Sequence, residues 1–485
     1  MDCDSKKWLV FLVVSFGVFL STLDSSMVNI ALPAIMAEFG SPLHKTEWVV
    51  MSYLLTTSTT LLVWGHFSDR LGRNRFYGFG FLVFGVGSLF CALAPTLNLL
   101  IAARFLQALG AAVLMANGPA LIRQAFPPGK LGRGMGFVGI PVSLGLMSGP
   151  VIGGYLIEFF SWRALFLLSL PVCFLFAVLS RFVLPATPST GASTRKFDWA
   201  GSTLWALLLA AVSFFLTHAL STGISWPMAT LFIAVILFVG IVFIRVEAMA
   251  ADPVFPLALL KKSFFFIGVM SALLSFLILF AVLILIPFYL DRVLGLSASR
   301  TGLVMLTIPL TVLLVAPLAG WLSDYLGAKL LSTLGLACSC FGLLLLALLT
   351  PQTSPWGVAV RLMFLGIGQA MFLSPNSASV LGRLGNKNSG TAAALLATAR
   401  NLGMMLGVAL AGMAFSFFFR LTSGGYDLRH YEGHMAESFC QALQPTFLLF
   451  LGAGLFAVHL SWQRPFFVAN KRGSDADVNQ GETME

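Results

Sequence analysis

Two residues stand where the surrounding chain offers them nothing. Asp24 is the only charged residue between Trp8 and Ala37, and Arg104 the only one between Leu97 and Leu121. An ionised carboxylate at membrane depth costs on the order of 2.5–3.5 kcal/mol even on lenient insertion scales, so its presence asks for a chemical reason. Burial favours the neutral acid and a neighbouring guanidinium favours the ionised one. Moving Arg104 or admitting water would therefore switch the charge on Asp24. That is proton-coupling chemistry, and one proton crossing a potential of 100 mV releases about 2.3 kcal/mol. The bland alternative is a buried ion pair that only fixes helix packing.

Two further groups of residues suggest moving parts. The run Gly65-His66-Phe67-Ser68-Asp69-Arg70-Leu71-Gly72-Arg73-Asn74-Arg75 is repeated in skeleton 255 residues later as Gly320-Trp321-Leu322-Ser323-Asp324-Tyr325-Leu326-Gly327. Glycines 65 and 72 allow a tight reversal. Asp69 can accept a charge-assisted bond from an arginine or a helix N-terminus in the other half of the chain, as a gate would require. Gly145, Gly149, Gly153 and Gly154 surround Pro150. Residues four apart share a helix face, so these glycines form a flat stripe for close helix contact, and the proline permits a bend.

These residues need a membrane around them. Of the 485 positions 58% are hydrophobic and 10% charged, with a mean hydropathy of +0.91, more than a soluble fold could bury. Apolar stretches run near 8–36, 47–68, 77–96, 98–122, 134–157, 163–183, 200–219, 227–245, 263–290, 300–322, 329–350, 355–382, 389–418 and 441–463. That predicts fourteen spanning helices, and by helix rise it puts Asp24 roughly 16 Å and Arg104 roughly 9 Å below the same membrane face. The first stretch is too long for a cleavable signal peptide. Of 29 Lys and Arg, 20 fall on the side of the termini and six opposite, while Arg104, Arg361 and Arg400 lie inside spans. The positive-inside rule then makes both termini cytoplasmic. The net charge of +10 reports orientation rather than nucleic-acid binding, since no long basic stripe exists. The six cysteines have no metal or disulfide spacing.

The duplication extends beyond the glycine runs. Arg104 pairs with Arg361, Gly145, Gly149 and Gly154 pair with Gly403, Gly407 and Gly412, and Pro33 pairs with Pro287 as the close of a first helix. Internal repeats about a midplane site are a common construction of secondary transporters. The repeat divides the chain into a six-helix bundle over 1–184, a linker with two additional helices over 185–262, a second six-helix bundle over 263–463 and a tail over 464–485. The position matching Asp24 is Ile278, so the second half folds without the acid.

The glycine-aspartate-arginine run, Arg104 with Gln107 and Gly110, and Gly145-x-x-x-Gly149-Pro150-x-x-Gly153-Gly154 resemble motifs A, B and C of the major facilitator superfamily. The run Leu23-Asp24-Ser25-Ser26-Met27-Val28-Asn29-Ile30-Ala31-Leu32-Pro33, with Phe197-Asp198-Trp199 before the seventh span, is similar to the fourteen-helix drug:proton antiporter family. The resemblance implies an all-α major facilitator fold. It implies proton coupling at Asp24 and Arg104, and a cytoplasmic gate at Gly65, Asp69, Arg70, Gly72, Arg73 and Asp324. Through the glycine-proline motif it implies export rather than symport. Candidates to line the substrate cavity are Asn29, Tyr53, Gln107, Asn117, Asn376 and Arg400. Ser169 replaces an expected asparagine, and Ala328 and Leu330 replace the arginines of the first glycine run.

The expected function is proton-driven export of lipophilic drugs, cationic ones among them, or of other amphiphiles, by alternating access. Export or flipping of an endogenous lipid or metabolite is the alternative, and proton-coupled uptake a weaker one. The expected surroundings are a bacterial inner membrane, protons and a small amphiphilic substrate, with no nucleic acid, cofactor or metal, and with nothing that indicates a periplasmic adaptor. An enzyme would need clustered nucleophiles or metal ligands, whereas His66, His218 and His459 are isolated, and the lack of a P-loop argues against ATP as the driving force. His430 and His434, with Asp427, Glu432 and Glu437, read as a solvated loop. The hydroxyls of Thr56 to Thr60 either line a cavity or bond back to their own helix.

Overall fold

The computed structural model describes residues 3–125, 139–184, 198–218, 226–250, 257–381 and 389–464, and its regular elements are all helical. In chain order they are α1 (Cys3–Phe39), the single turn α2 (Leu43–Thr46), α3 (Trp48–Leu71), α4 (Arg73–Leu93), α5 (Leu97–Ala125), α6 (Gly139–Phe159) and α7 (Arg163–Val183). There follow α8 (Trp199–His218), α9 (Trp226–Met249), the turn α10 (Leu257–Leu260), α11 (Ser263–Phe288) with a π-helical end over Tyr289–Val293, α12 (Ala298–Met305) and α13 (Thr307–Leu326). The last are α14 (Ala328–Ala347), α15 (Pro355–Leu381), α16 (Ser389–Thr422) and α17 (Ala436–Trp462). Twelve helices of the described residues are long and apolar enough to cross a membrane. Helices α3 and α6, of 24 and 21 residues, pack among them.

The duplication is visible in the packing. Helix α1 lies on α6, α3 on α5, and α4 on both α5 and α7. In the second half α11 lies on α16, α13 on α15, and α14 on both α15 and α17. Glycines make the tightest of these contacts. A Cβ at Gly110 of α5 would strike the backbone of α4 at Phe84, and one at Gly368 of α15 would strike α14 at Gly335. Small residues of this kind let helices approach where no hydrophobic drive separates them from lipid. Helix α8 packs against α3 of the first half and α16 of the second, and α9 packs on α8 with Leu231, Leu237 and Phe238 exposed. Asp198 caps α8 by accepting from the Gly201 amide at 2.8 Å.

Three local expectations change. The reversal near Gly65 is one residue long. Gly65, Asp69 and Arg70 belong to α3, Gly72 alone is non-helical at φ +92°, and Arg73 starts α4. Gly327 repeats this joint at φ +81° between α13 and α14. Only glycine adopts such a backbone without strain, and each joint amide closes its helix by donating to the carbonyl four residues back, Ser68 and Ser323, at 3.0 Å. The stretch near 300–322 breaks at Leu306 into α12 and α13, because Pro309 has no N–H to donate to Met305. Pro33 does not close its helix, which runs on to Phe39.

We call the membrane face bearing Gly72 and Gly327 the joint end, and the opposite one the far end. At the far end the halves meet closely. A Cβ at Gly302 of α12 would strike the Pro150 carbonyl of α6, one at Gly154 would fall 2.5 Å from the Ala298 carbonyl, and the Ser299 amide donates to Glu158 Oε2 at 3.0 Å. Pro33 and Ile30 of α1 share a small cleft there with Pro287 of α11.

Candidate proton-coupling site

Helix α5 is held against α4 by facing glycines, since a Cβ at Gly87 would sit 2.7 Å from the Gln107 Cβ. That approach brings Ser88 and Cys91 of α4 beside Gln107, while α1 packs on the other flank of α5. The three helices enclose Asp24 and Arg104, whose side chains are each 1% exposed.

Within this enclosure the polar groups bond to one another. Arg104 Nη1 donates to Asp24 Oδ2 at 2.6 Å and to Gln107 Oε1 at 2.6 Å, and its Nε donates to the Val49 carbonyl of α3 at 2.9 Å. Gln107 Nε2 donates to Asp24 Oδ1 at 2.9 Å and to Ser88 Oγ at 2.7 Å. Both carboxylate oxygens are therefore engaged. The guanidinium also lies over the Tyr53 ring at 4.4 Å and the Phe166 ring at 5.7 Å, an arrangement that steadies a desolvated cation. Tyr53 in turn donates to the Ser21 carbonyl at 3.2 Å. Charge-assisted bonds of this kind are strong only while dry, so water entry or a shift of α5 against α1 would release the acid.

The second half shows that helix packing does not require such a pair. Arg361 of α15 spends its donors on carbonyls, Nε to Leu345 at 3.0 Å and Nη1 to Gly357 at 3.0 Å. Ile278, at the position matching Asp24, is buried among apolar neighbours.

Replacing Gln107 with leucine should test the network without touching either charge. It would strip Asp24 Oδ1 of its donor, and an orphaned buried partner of this kind costs about 1–3 kcal/mol. The expected result is a lower thermal unfolding temperature together with an altered pH profile of transport. An unchanged profile with only lower stability would limit Gln107 to packing.

The remaining predicted residues fall elsewhere. Gln107 and Tyr53, expected to line a substrate cavity, belong to the Asp24 cluster. Asn29 is buried on α1 with no partner for Oδ1 among the described residues, and Asn117 Nδ2 bonds its own helix at the Val113 carbonyl, 2.8 Å away. Asn376 is tied to the Gly268 carbonyl at 3.1 Å and to Arg464 at 2.6 Å, while Arg400 donates to Ser377 Oγ at 2.8 Å. These bonds do not bring the candidates into one site. The hydroxyls of Thr56 to Thr60 all bond back to carbonyls of α3. The side chains of Asp69, Arg70 and Asp324 lie outside the described residues. Glycines 145 and 149 press on α1 at Thr22 and Ser26, Gly153 faces Met27 at 3.4 Å, and Gly154 faces α12 across the halves.

The sequence reading missed Ser88, the Val49 carbonyl and the Phe166 face. A serine in an apolar helix carries no signal by itself. Of the closely spaced glycines of α4, Gly80 and Gly87 do mark the face that meets α5, and Gly78 and Gly85 the face that meets α7.

The Major Facilitator Superfamily profile matches residues 14–244, 200–408 and 265–462. The chain belongs to that superfamily. It is 35% identical over 414 residues to the riboflavin transporter RibZ of Clostridioides difficile (strain 630), covering 85% of this chain and 88% of the relative. It is 30% identical over 409 residues to the multidrug resistance protein Stp of Mycobacterium tuberculosis (strain CDC 1551 / Oshkosh), covering 83% and 75%. A bacterial homologue of the human lysosomal transporter Spinster, solved inward-facing and unoccupied, superposes with a TM-score of 0.68 at 14% identity over 94% of this chain and 96% of that one. As a superfamily member the chain is a multi-pass membrane transporter and not an enzyme.

Proposed function

We propose that this superfamily member is a proton-coupled exporter of lipophilic drugs or other amphiphiles, cationic ones among them, in the manner of the fourteen-helix drug:proton antiporters. The observation that carries the reading is the Asp24–Arg104–Gln107 cluster. It is a dry carboxyl whose two oxygens are both held, in one half of a duplicated fold whose other half manages without it. Helices α8 and α9 supply the two spans beyond twelve. The charge asymmetry makes the joint end cytoplasmic, with both termini on that side of a bacterial inner membrane. With the far end sealed in this structure, substrate enters from the cytoplasm, Asp24 gives up its proton to that side as its pair with Arg104 forms, and the substrate leaves outward after the halves rock. The name of the Mycobacterium relative supports a drug-like substrate.

The name of the Clostridioides relative supports a second reading, a planar flavin-like substrate. Export or flipping of an endogenous lipid uses the same coupling. Proteoliposomes with an imposed pH gradient separate these readings when lipophilic cations, neutral amphiphiles, a labelled phospholipid and riboflavin are offered in turn. Antiport predicts that a substrate accumulates on the acidic side. Accumulation on the alkaline side, following the proton, would make the protein a symporter.

The joint-end gate yields its own test. Arg70, Arg73 and Arg75 surround Asp69, whereas Tyr325, Ala328 and Leu330 stand at the matching places around Asp324. At equal expression, Asp69→Asn should therefore reduce transport several-fold more than Asp324→Asn. Equal defects would remove the charge network from the gate.

A further inference from the structure

Glu47 lies between α2 and α3 at the far end, and it is 1% exposed. Neither carboxyl oxygen has a hydrogen-bond partner among the described residues. Its backbone is fixed, because the amide donates to the Leu43 carbonyl at 2.9 Å and the carbonyl accepts from Val50 and Met51. The carboxyl is pressed on Gly412 of α16, in the other half of the molecule, and a Cβ at that glycine would overlap both oxygens. An acid thus sits dry in the far-end seam between the halves.

The charged and titratable groups on the surrounding elements are engaged with other partners or lie apart. On α1, Asp24 is held by Arg104, and Glu38 accepts from Arg163 and Trp162. On α5, Arg104 bonds Asp24, Gln107 and the Val49 carbonyl. On α16, Arg400 reaches Ser377 and Arg420 reaches Asp427. On α2, Lys45 is exposed and His44 is buried, and neither donates to Glu47. The side chain of His218 on α8 lies outside the described residues. An unpaired carboxylate in such surroundings is the costliest state available to the group, and a proton is the smallest partner that removes the charge.

We propose that Glu47 is a second proton-binding site, a latch between the halves. Neutral, it allows α3 to close on α16 at Gly412. Ionised, it keeps the far end open and hydrated. The proton joins a carboxylate oxygen from water on the far side when the seam is open, and it returns to that side when the seam opens again. Acid outside therefore favours the closed far end and speeds the return of the empty transporter. This latch does not depend on Asp24 carrying the coupled proton.

The test places nitroxide labels at Ala37→Cys on α1 and Leu421→Cys on α16, in full-length protein whose native cysteines are replaced, and measures the distance between them as a function of pH. In the otherwise native protein the distance should be short in acid, with a longer population growing as the pH rises. In Glu47→Gln, a near-isostere of the protonated acid, it should stay short at every pH, whereas Asp24→Asn should keep the native shift. Infrared spectra supply an independent readout. The carbonyl stretch of protonated carboxyls at neutral pH should contain a component that the native protein and Asp24→Asn share and that Glu47→Gln lacks. A far end that ignores pH in the native protein overturns the latch. So does a Glu47→Gln variant that opens like the native one, or one whose carboxyl spectrum matches it.

Discussion

Replacing Asp24 with asparagine should abolish uphill efflux in vesicles, bringing it to the level of vesicles without the protein, while downhill movement of substrate and some binding persist. Asparagine keeps the shape and can still accept from Gln107 or Arg104, but it cannot exchange a proton at any physiological pH. The substitution also leaves the Arg104 charge without its counter-ion, and breaking a buried pair costs on the order of 3–5 kcal/mol. Thermal unfolding must therefore be followed in parallel and transport compared at matched amounts of folded protein. A purely structural pair predicts a different pattern, in which stability and binding fall together while the residual efflux still responds to the pH gradient. Full pH-driven efflux by Asp24→Asn would end the proton-carrier assignment.

Valine at Gly149 should nearly eliminate outward transport. A Cβ there would fall 2.5 Å from both Cβ and Oγ of Ser26, two residues from Asp24, so a branched side chain must push α6 off α1 or shift the acid itself. Overpacking of this kind typically costs 1–3 kcal/mol, by rough estimate, even where the backbone yields. Alanine at Gly153 is the control on the same helix, because its Cβ would meet Met27 at an ordinary 3.4 Å, and transport should be retained. The same helix seals the far end through Gly154 and the Pro150 carbonyl against α12, so Gly149→Val should also speed the decay of an imposed pH gradient in proteoliposomes. Normal efflux with an unchanged leak would mean that the contact at Ser26 does not govern movement.

How far the sequence disclosed these features follows from how each one signals. The helices were legible because lipid demands long apolar runs. Asp24 and Arg104 were legible because a charge in such a run has no cheap explanation, and the structure joins them at 2.6 Å. Gln107 was legible as a residue worth noting but not as the bridge, since its partners Ser88 and Asp24 come from helices brought close only by packing. Glu47 passed unnoticed because it stands beside Lys45 at the start of a span, where a charge normally faces water. Its burial depends on Gly412, 365 positions away. The single-residue joints at Gly72 and Gly327 were placed only to within several residues. Hydropathy marks where a membrane ends, whereas the backbone torsion of one glycine marks where the helix does.

Substrate-induced proton release from detergent-solubilised protein tests the central claim most directly, because it needs neither a gradient nor sidedness. The native protein should release protons when a transported amphiphile is added, and Asp24→Asn should release none while still binding the same compound. Equal release from the two proteins would contradict the account.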